Sequence, residues 1–502
     1  MQHRDGVSMS QTVNKNFFKQ PFFILCFLEF FERFGYYGFN YISIYFYISK
    51  LGFSESQATT LMGGFAALTY VFNAVGGYVA DNVLGIKRTM FTGAALLSVG
   101  YAFLAIGSSI SSHLVYPALA FIIIGSCLFK PAPTNLIAAI YGSDKSKLDS
   151  IYTYFYMSIN MGSFCASILV PLLAKNVGYT IALLVCAIGL LAGIIYNVKH
   201  YVVIKMVDNA IGLAKLNARK ILPFILVIVA GVVFVTLMLE NDRLINWLLT
   251  IASVIIFMIF ILQIVKEKDI AQRQKMIVAV ILLFYAVVFF VIYQQKNTSF
   301  MLFNKHHVNL NFLGWNINPQ TVPGFLGTSG IIMLSPFFAA MYRKLGKRDL
   351  ALPQKFAIGL LLSSFAYGLL FLVCFFTDPH QHISFAWEIL SISIFFASSE
   401  LLIGALGVSL MAQLVPDRMR GFAMGTWFIT CALGIKLGSY IASLVANNSV
   451  GGTVDTVYSD VEQVASFERY QHLFGSIFAF GLICAAVAWL IGGKLKRMIG
   501  NS

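Results

Sequence analysis

The chain has 502 residues, of which 58% are hydrophobic, 15% aromatic and only 11% charged. Soluble domains carry about 25% charged residues, so too little polar surface exists here to coat a water-soluble globule, and lipid is the solvent for most of the chain. The net charge of +14 does not point to nucleic acid, because Lys and Arg fall in short clusters between apolar runs, the pattern that encodes membrane topology.

Met1 to Gln20 form a polar segment without a cleavable-signal pattern, and the first apolar stretch is too long for a signal h-region. A spanning helix needs about 20 apolar residues. By that measure about fourteen stretches follow, centred near residues 35, 68, 98, 127, 162, 190, 230, 255, 287, 333, 364, 398, 433 and 481. They predict an all-α membrane protein: a cytoplasmic tail over 1–20, a six-helix bundle over 21–205, a linker with two accessory lipid-facing helices over 206–273, and a second six-helix bundle over 274–498. With the N-terminus inside, the cytoplasmic connections carry Lys87/Arg88, Lys145/Lys147, the run from Lys199 to Lys220, Lys266 to Lys275, Arg343/Lys344/Lys347/Arg348, Arg418/Arg420 and Lys494/Lys496/Arg497. The opposite loops, Gly107 to His113 and Thr377 to His382, lack Lys and Arg, and Asn447 to Glu468 is acidic. This places both termini in the cytoplasm, with Lys50 and an Asn304 to Asn318 loop outside. Two cytoplasmic segments, Leu84-Gly85-Ile86-Lys87-Arg88 and Leu345-Gly346-Lys347-Arg348, occupy corresponding places in the two blocks, an internal symmetry expected of two parallel halves. The 7 cysteines lie in apolar stretches without metal-ligand spacing and read as core hydrophobes.

Ionisable groups at membrane depth are costly and mark function. In the first helix, Glu29, Arg33, Tyr36 and Asn40 share one face at helical spacing, with Glu32 beside them. A structural Glu29–Arg33 ion pair at i,i+4 explains one carboxylate; the second is left over. Lys130, followed by Pro131 and Pro133, is central to the fourth stretch and must face a cavity or a carboxylate. Tyr152, Tyr156, Asn160 and Ser163 share a face in the fifth core helix, Tyr152 reading as packing. Glu400 is isolated in the tenth core helix, with no basic residue within one turn.

Three signatures carry a resemblance: Glu29-Phe30-Phe31-Glu32-Arg33-Phe34-Gly35-Tyr36-Tyr37, then Gly76-Gly77-Tyr78-Val79-Ala80-Asp81, then Phe155-Tyr156-Met157-Ser158-Ile159-Asn160-Met161-Gly162-Ser163. In this order they resemble the proton-dependent oligopeptide transporter family of the major facilitator superfamily, its bacterial dipeptide and tripeptide permeases in particular. The resemblance implies a major facilitator fold with two inserted helices. It also implies a proton-coupled symporter, not an enzyme, that imports di- and tripeptides across the inner membrane by alternating access. Protons are the coupling ion, no other cofactor or nucleic acid is involved, lipid is the surrounding partner, and the protein is expected to be a monomer.

The same resemblance assigns roles. Arg33 and Lys130 receive the peptide carboxylate, a charge-assisted contact that suits both groups; Lys130 can also neutralise Glu32. Tyr156, Asn160 and Tyr70 meet the peptide, and Tyr36, Tyr37, Asn40 and Gln294 are further pocket candidates. Glu400 accepts the amino terminus, and Trp427 lines the pocket or packs beside it. Glu32, with Glu29 as competitor, couples protons: low dielectric disfavours a charged carboxylate while a neighbouring cation favours it, so protonation releases Arg33 or Lys130 to the substrate. Some positions depart from the family pattern. Asn40 and Gln294 stand where many members pair an arginine with an acid, which suggests a hydrogen-bonded substitute for that gate. Gly327 and Ala132 replace asparagines, and Gly404-Ala405 replaces Ser-Pro. Rival readings are a symporter on the same scaffold for a small anion or organic acid, a drug exporter, a membrane enzyme or electron carrier, and a channel. An anion carrier has no use for Glu400, and a drug exporter would not carry all three signatures. Haem or metal chemistry needs ligands within helices, whereas the histidines read as loop or helix-end residues. No repeated pore segment suggests a channel.

Overall fold

The computed structural model describes residues 20–141, 145–200, 208, 210–213, 218–345, 350–404, 407–446 and 459–500. The N-terminal tail, most of the basic run between 199 and 220, Lys347/Arg348, Ala405 and most of the acidic loop after residue 446 lie outside the described residues.

Helix α1 (Pro21–Leu51) starts with Pro21, whose missing N–H is one of the donors a first turn leaves unbonded. It ends at Gly52, whose left-handed φ of 72° lets its N–H return to the Ile48 carbonyl. Two residues later Ser54 and Gln57 form a reciprocal capping box that opens α2 (Glu55–Asn82). Next come α3 (Ile86–Gly107), α4 (Val115–Phe129), α5 (Ala132–Tyr141), α6 (Lys145–Asn176) and α7 (Tyr179–Lys199). The break between α4 and α5 falls at Lys130-Pro131, where the sequence placed it, because Pro131 has no N–H to give the Cys127 carbonyl. The inserted hairpin is α8 (Ala218–Glu240) and α9 (Asp242–Lys266). The second half contains α10 (Ile270–Asn297), α11 (Ser299–His307), α12 (Val322–Leu345) and α13 (Leu352–Phe376). After these, a π-helical turn (Ile389–Phe396) leads into α14 (Ala397–Ile403), then α15 (Gly407–Leu414), α16 (Arg420–Val445) and α17 (Asp460–Ile499).

Among the described residues, thirteen helical spans are long and apolar enough to cross a membrane. Helix α1 is the fourteenth: its 31 residues extend about 46 Å at 1.5 Å per residue, and Glu29, Glu32 and Arg33 lower its apolarity. Every expected stretch coincides with a helical segment. Two details differ. The tenth core helix is π-wound before Glu400, and the outside loop expected from Asn304 begins only after His307.

In the first half α1 packs on α6 and α7, α3 on α4 and α7, and α2 on α4; in the second, α13 packs on α17, and α10 on α13, α16 and α17. The halves meet along α2–α16 and α6–α12. The inserted hairpin is largely exposed, as a lipid-facing pair should be. It nevertheless covers the seam between the halves, with α8 on α4, α9 on α2 and α16, and Asp242 bonded to the buried Lys436 of α16.

Two signature glycines set the helix spacing. A Cβ on Gly162 would stand 2.5 Å from the Phe30 carbonyl oxygen, and one on Gly76 would stand 1.7 Å from the Cys127 carbonyl oxygen. Small residues allow this approach, which stands in for the hydrophobic effect when lipid is the solvent. Gly76 thus brings α2 against the carbonyl that Pro131 leaves without its helical donor.

At one end the halves interlock. Tyr45 donates to the Met301 carbonyl (2.7 Å), Glu55 and His306 meet at 2.9 Å, Asn318 donates to the Pro171 carbonyl (3.0 Å), and Gln320 donates to the Tyr179 hydroxyl (3.1 Å). Toward the other end the wall between the halves is open: Tyr156, deep on α6, is 54% exposed.

Candidate functional site

The α1 stripe is buried: Glu29, Glu32 and Arg33 are 5%, 1% and 5% exposed. Arg33 Nε bonds the Glu32 carboxylate and lies 3.3 Å from Glu29 Oε1. One guanidinium therefore holds both carboxylates, and the i,i+4 pair read from sequence is only half of the arrangement. Glu29 Oε2, Glu32 Oε1 and Arg33 Nη2 are buried without hydrogen-bond partners. Such groups are expensive to leave unmade. Lys130 is within electrostatic reach of all three. Its ammonium lies 5.1 Å from the Tyr70 ring centroid, and the Arg33 guanidinium lies 5.3 Å from that of Tyr36, both within cation–π range.

Between the halves is a cavity of about 990 Å³, open mouth included. Tyr36, Tyr37 and Asn40 of α1 line it, with Tyr70 of α2, Tyr156 and Asn160 of α6, Gln294 of α10 and Glu400 of α14. These residues come from five helices spread over more than 360 positions of sequence, yet they converge on one space. Glu29, Glu32, Arg33 and Lys130 are not on its wall. The two cations lie one aromatic ring behind it, under Tyr36 and Tyr70. Trp427 is not on the wall either; it is 3% exposed, edge-on to Phe290, and packed so closely on Gly407 that a Cβ there would come within 1.9 Å of its ring. Of the two roles read for it, packing is the one seen. Tyr152 also serves packing, its hydroxyl bonding the Thr134 carbonyl at 3.3 Å.

The neutral pair Asn40 and Gln294 does not behave as a substitute gate. Asn40 donates to its own helix at the Tyr36 carbonyl (2.6 Å), and Gln294 donates to Ser439 of α16 (3.0 Å). Each amide is satisfied within its own half. The contacts that join the halves at the closed end are Glu55–His306 and its neighbours. Below it, Tyr41, Ser163 and Thr328 form a hydroxyl chain between the halves, with links of 2.9 and 3.3 Å.

Sequence reading misses one charged wall residue. Lys296, two positions after Gln294, reaches across to Glu400 at 3.3 Å and supplies the partner that could not be found within one turn. The signal was a lysine inside Tyr293-Gln294-Gln295-Lys296, ahead of the helix end and away from every basic loop.

The comparisons with known proteins agree with this architecture. A sequence model described as the POT family matches residues 87–457. The dipeptide and tripeptide permease A of Serratia proteamaculans (strain 568) is 36% identical over 97% of this chain and 94% of its own length. The dipeptide and tripeptide permease B of Photorhabdus asymbiotica is 34% identical over 96% of each. Among solved structures, tetrameric PepTSo2 superposes with a TM-score of 0.83 at 28% identity, over 95% of this chain and 98% of that one. A bacterial homologue of the human drug peptide transporters PepT1 and PepT2 gives 0.81 at 27%, with the same coverage. Matched along nearly its whole length, this multi-pass membrane protein has the major facilitator fold and belongs to the POT family of peptide transporters, not to a family of enzymes.

Proposed function

We propose that the chain is a proton-coupled symporter that imports di- and tripeptides by alternating access, with residues 21–205 and 274–498 as the two moving halves and 206–273 as the inserted linker. The observation that carries this reading is a cavity between the halves with a carboxylate on one side, Glu400, and two cations, Arg33 and Lys130, one ring behind the other. Opposite charges at the two ends of one space measure a short zwitterion and leave side chains free, which favours di- and tripeptides. In this assignment Glu400 takes the amino terminus and Arg33 with Lys130 the carboxylate. Tyr36, Tyr37, Tyr70, Tyr156 and Asn160 offer hydroxyl and amide groups to the peptide backbone, and Asn40 and Gln294 complete the wall. Trp427 supports the wall from behind through Phe290.

Protons act through the α1 cluster. With Glu32 charged, Arg33 is held by the two glutamates, as it is here. A proton on Glu32 weakens that hold to Glu29 alone and lets the guanidinium turn to the peptide carboxylate; loss of the proton restores the double contact and expels the peptide. The basic connections lie toward the open end, so the positive-inside rule makes that end cytoplasmic and the Glu55–His306 end periplasmic. The conformation is then the inward-facing state after release. Both termini are cytoplasmic and the protein resides in the inner membrane. One chain contains the complete cavity, which supports a monomer as the working unit, although PepTSo2 is a tetramer.

Uptake of labelled dialanine into proteoliposomes, with and without an inward proton gradient, tests this. Gradient-dependent accumulation, lost in Glu400→Gln, is expected. A correctly inserted preparation that accumulates small anions but no dipeptide would favour the rival reading.

A further inference from the structure

Glu400 does not wait unpartnered for a peptide. Lys296 Nζ lies 3.3 Å from its Oε2, with the lysine side chain 8% exposed and the glutamate 24% exposed toward the cavity. The ammonium is also 4.5 Å from the Tyr293 ring centroid and 5.1 Å from that of Phe396. Gly327 makes the room. A Cβ at that position would come within 3.2 Å of Nζ, so a larger side chain here would have to push the ammonium aside. Lys296 and Gly327 both line the cavity, and the ammonium, bonded to Glu400, is a built part of its wall.

The pair changes the charge balance of the site. With all six groups ionised, Glu29, Glu32 and Glu400 are offset by Arg33, Lys130 and Lys296, and the empty site, the α1 cluster included, is neutral. Without Lys296 the cavity would carry one negative charge, which a single proton offsets when a zwitterionic peptide is bound. With Lys296 present, a neutral peptide and one proton leave an excess positive charge. The peptide's amino group and Lys296 then compete for the same carboxylate. A second carboxylate on the peptide, near its amino terminus, removes both problems: it restores neutrality and gives Lys296 its own charge-assisted hydrogen bond.

We propose that Lys296 is a specificity-determining residue that directs this transporter toward di- and tripeptides whose first side chain is a carboxylate, aspartate or glutamate. This rests on the peptide reading above. Dialanine uptake into proteoliposomes would be competed with unlabelled Glu-Ala, Lys-Ala and Ala-Glu, using wild type, Lys296→Met and Lys296→Arg. Glu-Ala is expected to outcompete Lys-Ala in wild type by roughly tenfold or more, the worth of one hydrogen bond to a charged group. That preference should disappear in Lys296→Met and persist in Lys296→Arg, while Ala-Glu, whose acid lies at the other end, should change little. Should Lys296→Met fail to assemble, Lys296→Gln carries the same comparison. An unchanged Glu-Ala to Lys-Ala ratio in a transporting Lys296→Met protein would overturn the proposal, and so would an equal effect on Ala-Glu. Wild type that takes up no dialanine at all would instead overturn the peptide reading, and this proposal with it.

Discussion

His306 Nε2 and Glu55 Oε1 stand 2.9 Å apart across the closed end, with side chains 7% and 10% exposed. Glu55 also lies in the first turn of α2, where its charge favours the helix dipole, so the cleaner perturbation is at histidine. His306→Phe keeps an aromatic ring and removes both nitrogens. In the closed conformation the carboxylate then loses a hydrogen bond that little water is present to replace, a loss of about 1.5–3 kcal/mol for a bond to a charged group. When this end opens, Glu55 reaches water and the loss disappears. The equilibrium therefore moves toward opening by the same amount, about 10- to 140-fold at 1.4 kcal/mol per factor of ten. Spin labels at Lys50 and Trp315, both exposed and on opposite halves of this mouth, would report it through their distance distribution in bilayers. A longer-distance population should appear or grow in His306→Phe. If the distribution is the same as wild type in a variant that still transports, the pair does not hold this end closed and the reasoning fails.

The other expectations concern coupling and packing. Glu32→Gln should abolish gradient-driven accumulation of dialanine yet leave peptide exchange across the membrane intact, because a neutral side chain at this position leaves Arg33 able to turn to the peptide carboxylate; continued accumulation would move the coupling site elsewhere. Gly162→Ala puts a methyl group 2.5 Å from the Phe30 carbonyl oxygen and 3.1 Å from the Arg33 Cβ. Overpacking of this kind costs about 1–3 kcal/mol, to be read as a lower melting temperature in detergent. At the inserted hairpin, Asp242→Asn should destabilise more than Lys436→Met in the same melting assay. The first strands an ammonium whose side chain is 7% exposed, while the second leaves a carboxylate that is 39% exposed and can hydrate. Equal melting temperatures for the two variants would mean that Lys436 reaches water.

Sequence by itself determined the spans, their order and the charged stripe of α1, and the reason is local. In lipid a backbone must satisfy its own hydrogen bonds within the segment, so helix position follows from runs of about 20 apolar residues. The same locality made Glu29, Arg33, Tyr36 and Asn40 legible as one face, and made Pro131 legible as a break. What tertiary structure alone decided is which side chain meets which across helices. Lys296 reaches Glu400 over 104 positions of chain, His306 reaches Glu55 over 251, and Gln294 turns to Ser439 instead of Asn40. Trp427 turns away from the cavity onto Gly407 for the same kind of reason. These pairings depend on how far each helix is rotated about its axis and how closely its neighbour approaches. Contacts such as Gly76 on Cys127 and Gly162 on Phe30 set that geometry, and no spacing along a single helix records it.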